Sequence, residues 1–230
     1  SKIAQAYQAL PRMDGEAERA YPFLLATYRI ATEPCPPDFR NQMMITLDRL
    51  ATASMREGFR DQAIDCYQIG ADFSRSQALD HDDIPFQRDL LHWIRNTLAL
   101  LTQREAEAQD EIRQHFDAAA TQYIDEACNI AEHIASTAEP TISEIAEHLV
   151  WRITLGIRLI EDAPTDSQPH FQRAQSLCTN VFPQSIDPII REHIMTLADA
   201  ASELLHEAGR KSEADGMHTL SQRFREASTD

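Results

Sequence analysis

The segment Leu47–Phe73, LDRLATASMREGFRDQAIDCYQIGADF, decides the fold. Before Gly58, the residues Met43, Leu47, Leu50 and Ser54 recur at steps of four, three and four. After it, Phe59, Ala63, Tyr67, Gly70 and Phe73 recur at steps of three or four. Each set falls on one face of an amphipathic helix. Gly58 predicts the turn between them, because glycine enters the left-handed conformation that ends a helix at little steric cost. Ala63, five residues on, is small enough to let the second helix lie close to the first near Ala51 and Ser54.

The remainder of the chain fits the same plan. Only six glycines occur in 230 residues, and no run alternates β-branched residues, so an all-α protein is expected. The apolar residues are mainly Ala, Leu and Ile, which suit helices. A chain of this length can bury a sizeable core, here expected as one helical repeat domain over residues 1–230. The formal net charge of −16 argues against nucleic acid as a partner, since that binding depends on neutralising phosphates. Cys35, Cys66, Cys128 and Cys178 are far apart and form no CxxC pair, which disfavours a disulfide framework or zinc site. That usage fits a reducing, cytoplasmic setting. No segment is apolar for long enough to span a bilayer, and SKIAQAYQAL does not read as a signal peptide. No cofactor is expected.

Taken in order, Ser1–Leu10 reads as a short helix. Asp14 is a candidate N-cap for a helix to about Thr32, interrupted by Pro22. Glu33–Pro37, EPCPP, is a loop. After the central pair, residues 86–139 contain neither Gly nor Pro. Leu90, Ile94, Leu98 and Leu101 form one stripe there. Ile112, Phe116, Ala119, Tyr123, Ala127, Ile130 and Ile134 form another, and a break is expected within Thr102–Asp110. Thr141 with Glu144 makes a capping box for a helix whose stripe runs through Ile142, Ile145, Leu149, Ile153 and Ile160. Ala163–Pro169 reads as a loop. Phe171, Ala174, Leu177 and Val181 give a shorter helix stopped by Pro183. Pro188 sits near the start of a helix through Ile190, Ile194, Leu197, Ala201 and Leu205 or Leu204. The spacing Gly-x4-Ala then returns at Gly209 and Ala214, as it does at Gly15 and Ala20.

The central pair resembles the tetratricopeptide (TPR) pattern through Leu47, Leu50-Ala51, Gly58, Ala63, Tyr67 and Gly70 or Ala71. It departs from that pattern at Leu47, where the family has Trp or Tyr, at Ala51, where it has Gly, and in lacking a closing proline near Ala78. The likeness is distinct over about a third of the chain. It implies about ten antiparallel helices in five stacked hairpins, wound as a right-handed superhelix. In such an array the first helix of each pair lines a concave groove. By register, Gln5 and Arg12, then Asp48, Thr52 and Met55, then Asp199, Glu203 and His206 would face it. The function implied is non-enzymatic: an adaptor or regulatory module that binds a peptide or partner protein, with a homodimer as a further partner.

Two alternatives carry other chemistry. Glu203-x-x-His206 has the spacing of a di-iron carboxylate motif on a bundle helix, with Asp89-x-x-His92 and Asp215-x-x-His218 as its nearest relatives here. A metal-dependent enzyme on that pair needs two further carboxylates. The acidic balance also suits an inhibitor that imitates nucleic acid and occupies a basic partner. His81-Asp82 resembles the HD phosphohydrolase pair, but no histidine precedes His81 to complete it. The two IAEH segments, ending in His133 and His148, read as helix surface. Trp93 and Trp151 read as core anchors.

Overall fold

The structure, a computed structural model, describes residues 37–77 and 84–227. The pair expected around Gly15, including Gln5 and Arg12, lies outside the described residues. So do Cys35, His81 and Asp82. Among the described residues the chain is all-helical, with eight α-helices and no strand. They are α1 (Pro37–Glu57), α2 (Arg60–Gln77), α3 (Ile84–Glu107), α4 (Asp110–Thr137), α5 (Ile142–Arg158), α6 (Pro164–Thr179), α7 (Pro188–Glu207) and α8 (Lys211–Glu226). A 3-10 turn at Pro183–Ser185 precedes α7. No helix among the described residues is long and apolar enough to cross a membrane. The described residues divide into two compact units, one up to Ala120 and one from Thr121.

In the first unit α2 packs against both α1 and α3. Met43, Leu47 and Ala51 of α1 are buried with Ala63 and Phe73 of α2 and with Trp93 and Ile94 of α3. Gly70 leaves the surface of α2 bare, and the Trp93 indole lies against it. Tyr67 flanks the indole with ring centroids 5.9 Å apart. The Arg60 guanidinium donates to both carboxylate oxygens of Glu107, at 2.6 and 2.7 Å, and ties the start of α2 to the end of α3.

In the second unit two hairpins lie side by side. The first helices, α5 and α7, pack on each other, and so do the second helices, α6 and α8. Leu149, Ile153, Phe171, Ile194, Met217 and Phe224 are among the core residues between them. The capping box at α5 forms as expected. Thr141 Oγ1 accepts from the Glu144 N–H, and the Glu144 carboxylate accepts from the Thr141 N–H at 2.7 Å. Asp187 caps α7 by accepting from the Ile189 N–H, with Pro188 at the first helical position.

Three readings change. Residues 164–169 are helix, not loop: the connection is Leu159–Ala163, and α6 starts at Pro164. Proline at the first helical position lacks only an N–H that would have no partner there. Second, the buried face of α4 runs through Ala120, Ile124, Ala127, Cys128, Ala131 and Ile134. Ile112 is exposed, and Phe116, Ala119, Tyr123 and Ile130 are half-buried, so the buried stripe is turned by about one residue from the expected one. Third, Phe59 and Ile142 are exposed rather than core. The break between α3 and α4 falls at Ala108–Gln109, inside the expected interval.

The hairpin α1–α2 recurs as α7–α8, displaced by 151 positions. Met43, Leu47, Leu50, Ala51 and Ser54 are buried, and so are their counterparts Ile194, Ala198, Ala201, Ser202 and Leu205. On the second helices Ala63, Cys66, Ile69 and Phe73 match the buried Ala214, Met217, Leu220 and Phe224. The turns match bond for bond. Phe59 N–H donates to Ser54 O at 2.8 Å and Gly58 N–H to Met55 O at 3.3 Å; Arg210 N–H donates to Leu205 O at 2.8 Å and Gly209 N–H to His206 O at 3.0 Å. This is the Schellman pattern, which needs a left-handed residue. Gly58 and Gly209 supply it at φ +84° and +75°. The hairpins differ on one face. Ile64, Tyr67, Ala71 and Ser74 of α2 are buried, whereas Asp215, His218, Gln222 and Arg225 stand exposed on α8.

A Cβ at Gly58 or Gly209 would meet nothing within 4 Å, so alanine there is strained only through its backbone. Gly58→Ala and Gly209→Ala are each expected to cost about 1 kcal/mol in urea unfolding, the price of a non-glycine residue in the left-handed region. Equal losses at both sites are the result that matches equivalent turns.

Candidate functional site

The register residues occupy equivalent places: Asp48, Thr52 and Met55 on α1 correspond to Asp199, Glu203 and His206 on α7. Each trio follows the i, i+4, i+7 row of its helix, so each shares one face. Part of each row is engaged by neighbouring helices. Asp48 approaches His92 Nε2 of α3 at 3.7 Å, and the Thr52 hydroxyl hydrogen-bonds the Tyr67 phenol of α2. Asp199 accepts from Arg225 of α8 at 2.7 Å. Met55 is half-buried, and Glu203 and His206 are exposed. The exposed members of the two rows are Thr52 in one hairpin and Glu203 with His206 in the other, with Met55 partly covered.

Glu203 and His206 gain no further ligands. Among the described residues no group of three or more His, Cys, Asp or Glu side chains is placed to hold a metal ion. The two related pairs bond elsewhere: His92 Nε2 lies 3.2 Å from the Asn96 amide, and His218 Nε2 lies 2.8 Å from that of Gln222. Cys66, Cys128 and Cys178 are free thiols, all buried. Burial, with Asp65 adding to it, pushes the Cys66 thiol up to about 12, so it is not a ready nucleophile. An open cleft of about 390 Å³ between α6 and the start of α8 is lined by Gln168, Gln172, Gln175 and residues 210–213. The Arg210 guanidinium there is already paired with Glu213, bonded to Ser167 Oγ and set over the Phe171 ring.

The most concentrated polar cluster lies elsewhere, where α4, α5 and α6 meet inside the second unit. His148 is not a surface residue, as the sequence suggested: it is 2% exposed. Arg152 Nε donates to His148 Nε2 at 3.0 Å, and Arg152 Nη1 donates to His170 Nδ1 at 3.1 Å. Its Nη2 reaches the Cys128 carbonyl and Glu132 Oε2 at 3.4 and 3.2 Å. Glu132 also receives both prongs of Arg173, Nη2 to Oε1 at 2.6 Å and Nε to Oε2 at 2.9 Å. That paired geometry is the strong form of a charge-assisted bond. A guanidinium has no acceptor and does not deprotonate, so both imidazole nitrogens facing Arg152 must carry lone pairs.

The charges agree with that geometry. Burial, reinforced by the Arg152 charge and only partly opposed by Glu132, pushes His148 down to about 4. Burial and Arg152 also lower His170. For Glu132, burial works upward, but Arg173 and Arg152 outweigh it and hold the carboxyl below its usual range. The sequence shows one piece of this directly, the i, i+4 step from His148 to Arg152. Glu132 and His148 belong to the two IAEH segments, but nothing local says that one element of each turns inward to the same guanidinium.

Comparison with protein-family models and with curated proteins gives no match for this chain.

Proposed function

We propose that the chain is a non-enzymatic recognition module of the TPR-like kind, a single array of five stacked hairpins over residues 1–230 wound as a right-handed superhelix. It acts as an adaptor or regulator that holds a peptide or partner helix. The observation carrying this reading is the recurrence of one hairpin 151 positions on, with the same buried positions and the same turn. Repeats of that kind stack through their neighbours and leave the outer face of their first helices for ligands. Glu203 and His206 are exposed on that face and Met55 is half-buried there, and they are the residues expected to touch the partner. A net charge of −16 favours a segment bearing Lys or Arg beside an apolar anchor. Buried, unpaired thiols suit a cytoplasmic setting.

A displayed peptide library selected on the whole protein tests this. Enriched peptides are expected to be basic, to bind more weakly as salt rises, and to lose about tenfold in affinity, or 1.4 kcal/mol, on Met55→Arg or Glu203→Arg. Glu203 is exposed, so its variant should keep the parent melting temperature; Met55 is half-buried, so the affinity of its variant is compared at a temperature where both proteins are shown to be folded. Selection that enriches nothing, or peptides indifferent to both substitutions, would remove the proposal.

A further inference from the structure

The Arg152 cluster has a property that the recognition reading neither needs nor supplies. Arg152 is held between two histidines that can accept its N–H groups only while both lack a proton at those nitrogens. A proton on His148 Nε2 or His170 Nδ1 replaces an acceptor with a second donor and sets a cation against the guanidinium. The groups acting on His148 are Arg152 of its own helix, Glu132 of α4 and Arg173 of α6. Those acting on His170 are Arg152 of α5, Asp125 of α4 and Asp166 of its own helix. No charged group of α7, which also packs on α5, is among them. With both rings neutral, the Glu132 carboxylate faces the two guanidiniums directly. Two added protons would set two more cations beside them, opposed by Glu132 at His148 and by Asp125 and Asp166 at His170.

We infer that the seam joining the C-terminal part of α4 to the α5–α6 hairpin is an acid-released latch, closed by Arg152 bridging two neutral histidines and opened when they take up protons. The sign follows from the histidines. The closed form resists protonation down to about pH 4 at His148, whereas a released imidazole accepts a proton near 6.5. Falling pH between those values therefore favours the open form, which binds more protons. In the closed form Arg173 and Arg152 hold the Glu132 carboxyl below its usual range.

Hydrogen exchange of the full chain, corrected for intrinsic rates and followed from pH 6.5 to 4, tests the latch. Protection in α5, α6 and residues 121–137 is expected to fall on the order of 100-fold, since each unit separating the open and closed values is a factor of ten. The α1–α2 hairpin should keep its protection. Replacing both rings, His148→Gln with His170→Gln, leaves an acceptor oxygen at each place but nothing that titrates. That variant should hold protection across the interval. An identical loss in wild type and double variant would overturn the latch. Should the double variant fail to fold, ring titration of the wild type by NMR decides: the His148 ring is expected to stay neutral down to about pH 4, and protonation near its ordinary value of 6.5 would overturn the proposal.

Discussion

Phe73→Ala and Phe224→Ala are each expected to lower the free energy of unfolding by about 4 kcal/mol. Both rings are fully buried, and they hold equivalent positions on the second helices of the two recurring hairpins. Removing a core phenylalanine forfeits its transfer free energy and leaves a cavity, together about 3–5 kcal/mol. Alanine's better helix propensity returns only about 0.5 kcal/mol of this. Urea unfolding measures the loss, and hydrogen exchange shows where it lands. Phe73→Ala should release protection first in α1 and α2, and Phe224→Ala first in α7 and α8. Phe182→Ala is the control, since that ring is 72% exposed and its removal should change stability by less than about 0.5 kcal/mol. A small loss at either buried phenylalanine would mean that the two hairpins are not energetically alike, and it would undercut the repeat on which the recognition reading stands.

The same two hairpins show what local sequence can reveal. Gly58 and Gly209 were readable because a left-handed turn leaves a chemical mark, a residue without Cβ. The capping box was readable because Thr141 and Glu144 satisfy each other within four residues. The stripe of α3 was readable because Leu90, Ile94, Leu98 and Leu101 keep helical spacing and are all buried, with Leu91, Trp93 and Leu100 widening the same face. The phase of α4 was not, because that helix carries two sets at helical spacing. One runs through the large Phe116 and Tyr123, which are half-buried; the other runs through the small Ala120 and Ala131, which allow close packing and are buried. Ala127 and Ile134 of the expected stripe are buried as well, so large side chains misplaced the phase only in part. Pro164 and Pro169 looked like loop because proline is usually punctuation, yet the first opens α6 and the second sits within it.

The Arg152 cluster was hidden for a different reason. Its members come from three helices, and Arg173 lies 41 residues from the carboxylate it clasps. No spacing rule reaches that far. His148 looked like surface because a histidine beside an apolar stripe usually is; here Arg152, four residues on, follows it inward and supplies the bond that burial demands. The candidate recognition row was readable only as a register. The structure divides it, because Asp48, Thr52 and Asp199 bond to neighbouring helices while Glu203 and His206 are exposed and Met55 is half-buried. Helix–helix stacking consumes one edge of the row, and a rule of register carries no information about which edge that is.

Three glycines inside helices should respond to alanine in opposite directions. In an exposed helix the exchange stabilises by about 1 kcal/mol, because glycine loses more backbone freedom on folding. At Gly70 the new Cβ would stand 2.4 Å from Trp93 Cδ2 and 2.6 Å from Cε3. At Gly156 it would stand 2.7 Å from Phe171 Cζ. Both rings are buried, with no free space to retreat into. Overpacking of that kind costs about 1–3 kcal/mol, so the net expectation is a loss of about 2 kcal/mol at Gly70 and a somewhat smaller one at Gly156. Gly216 has the closest contact of the three, with Gln175 Nε2 only 1.9 Å from the would-be Cβ. Yet that atom ends a flexible, half-buried side chain on the wall of the α6–α8 cleft, and it can swing away. Gly216→Ala is therefore expected to gain up to about 1 kcal/mol, raising the melting temperature by about 2–4 °C. Thermal unfolding of the three variants settles it by sign. If Gly216→Ala proved as damaging as Gly70→Ala, the Gln175 amide would have to be fixed in place, and the close seating of α8 on α6 would depend on a polar contact rather than on the absence of a side chain.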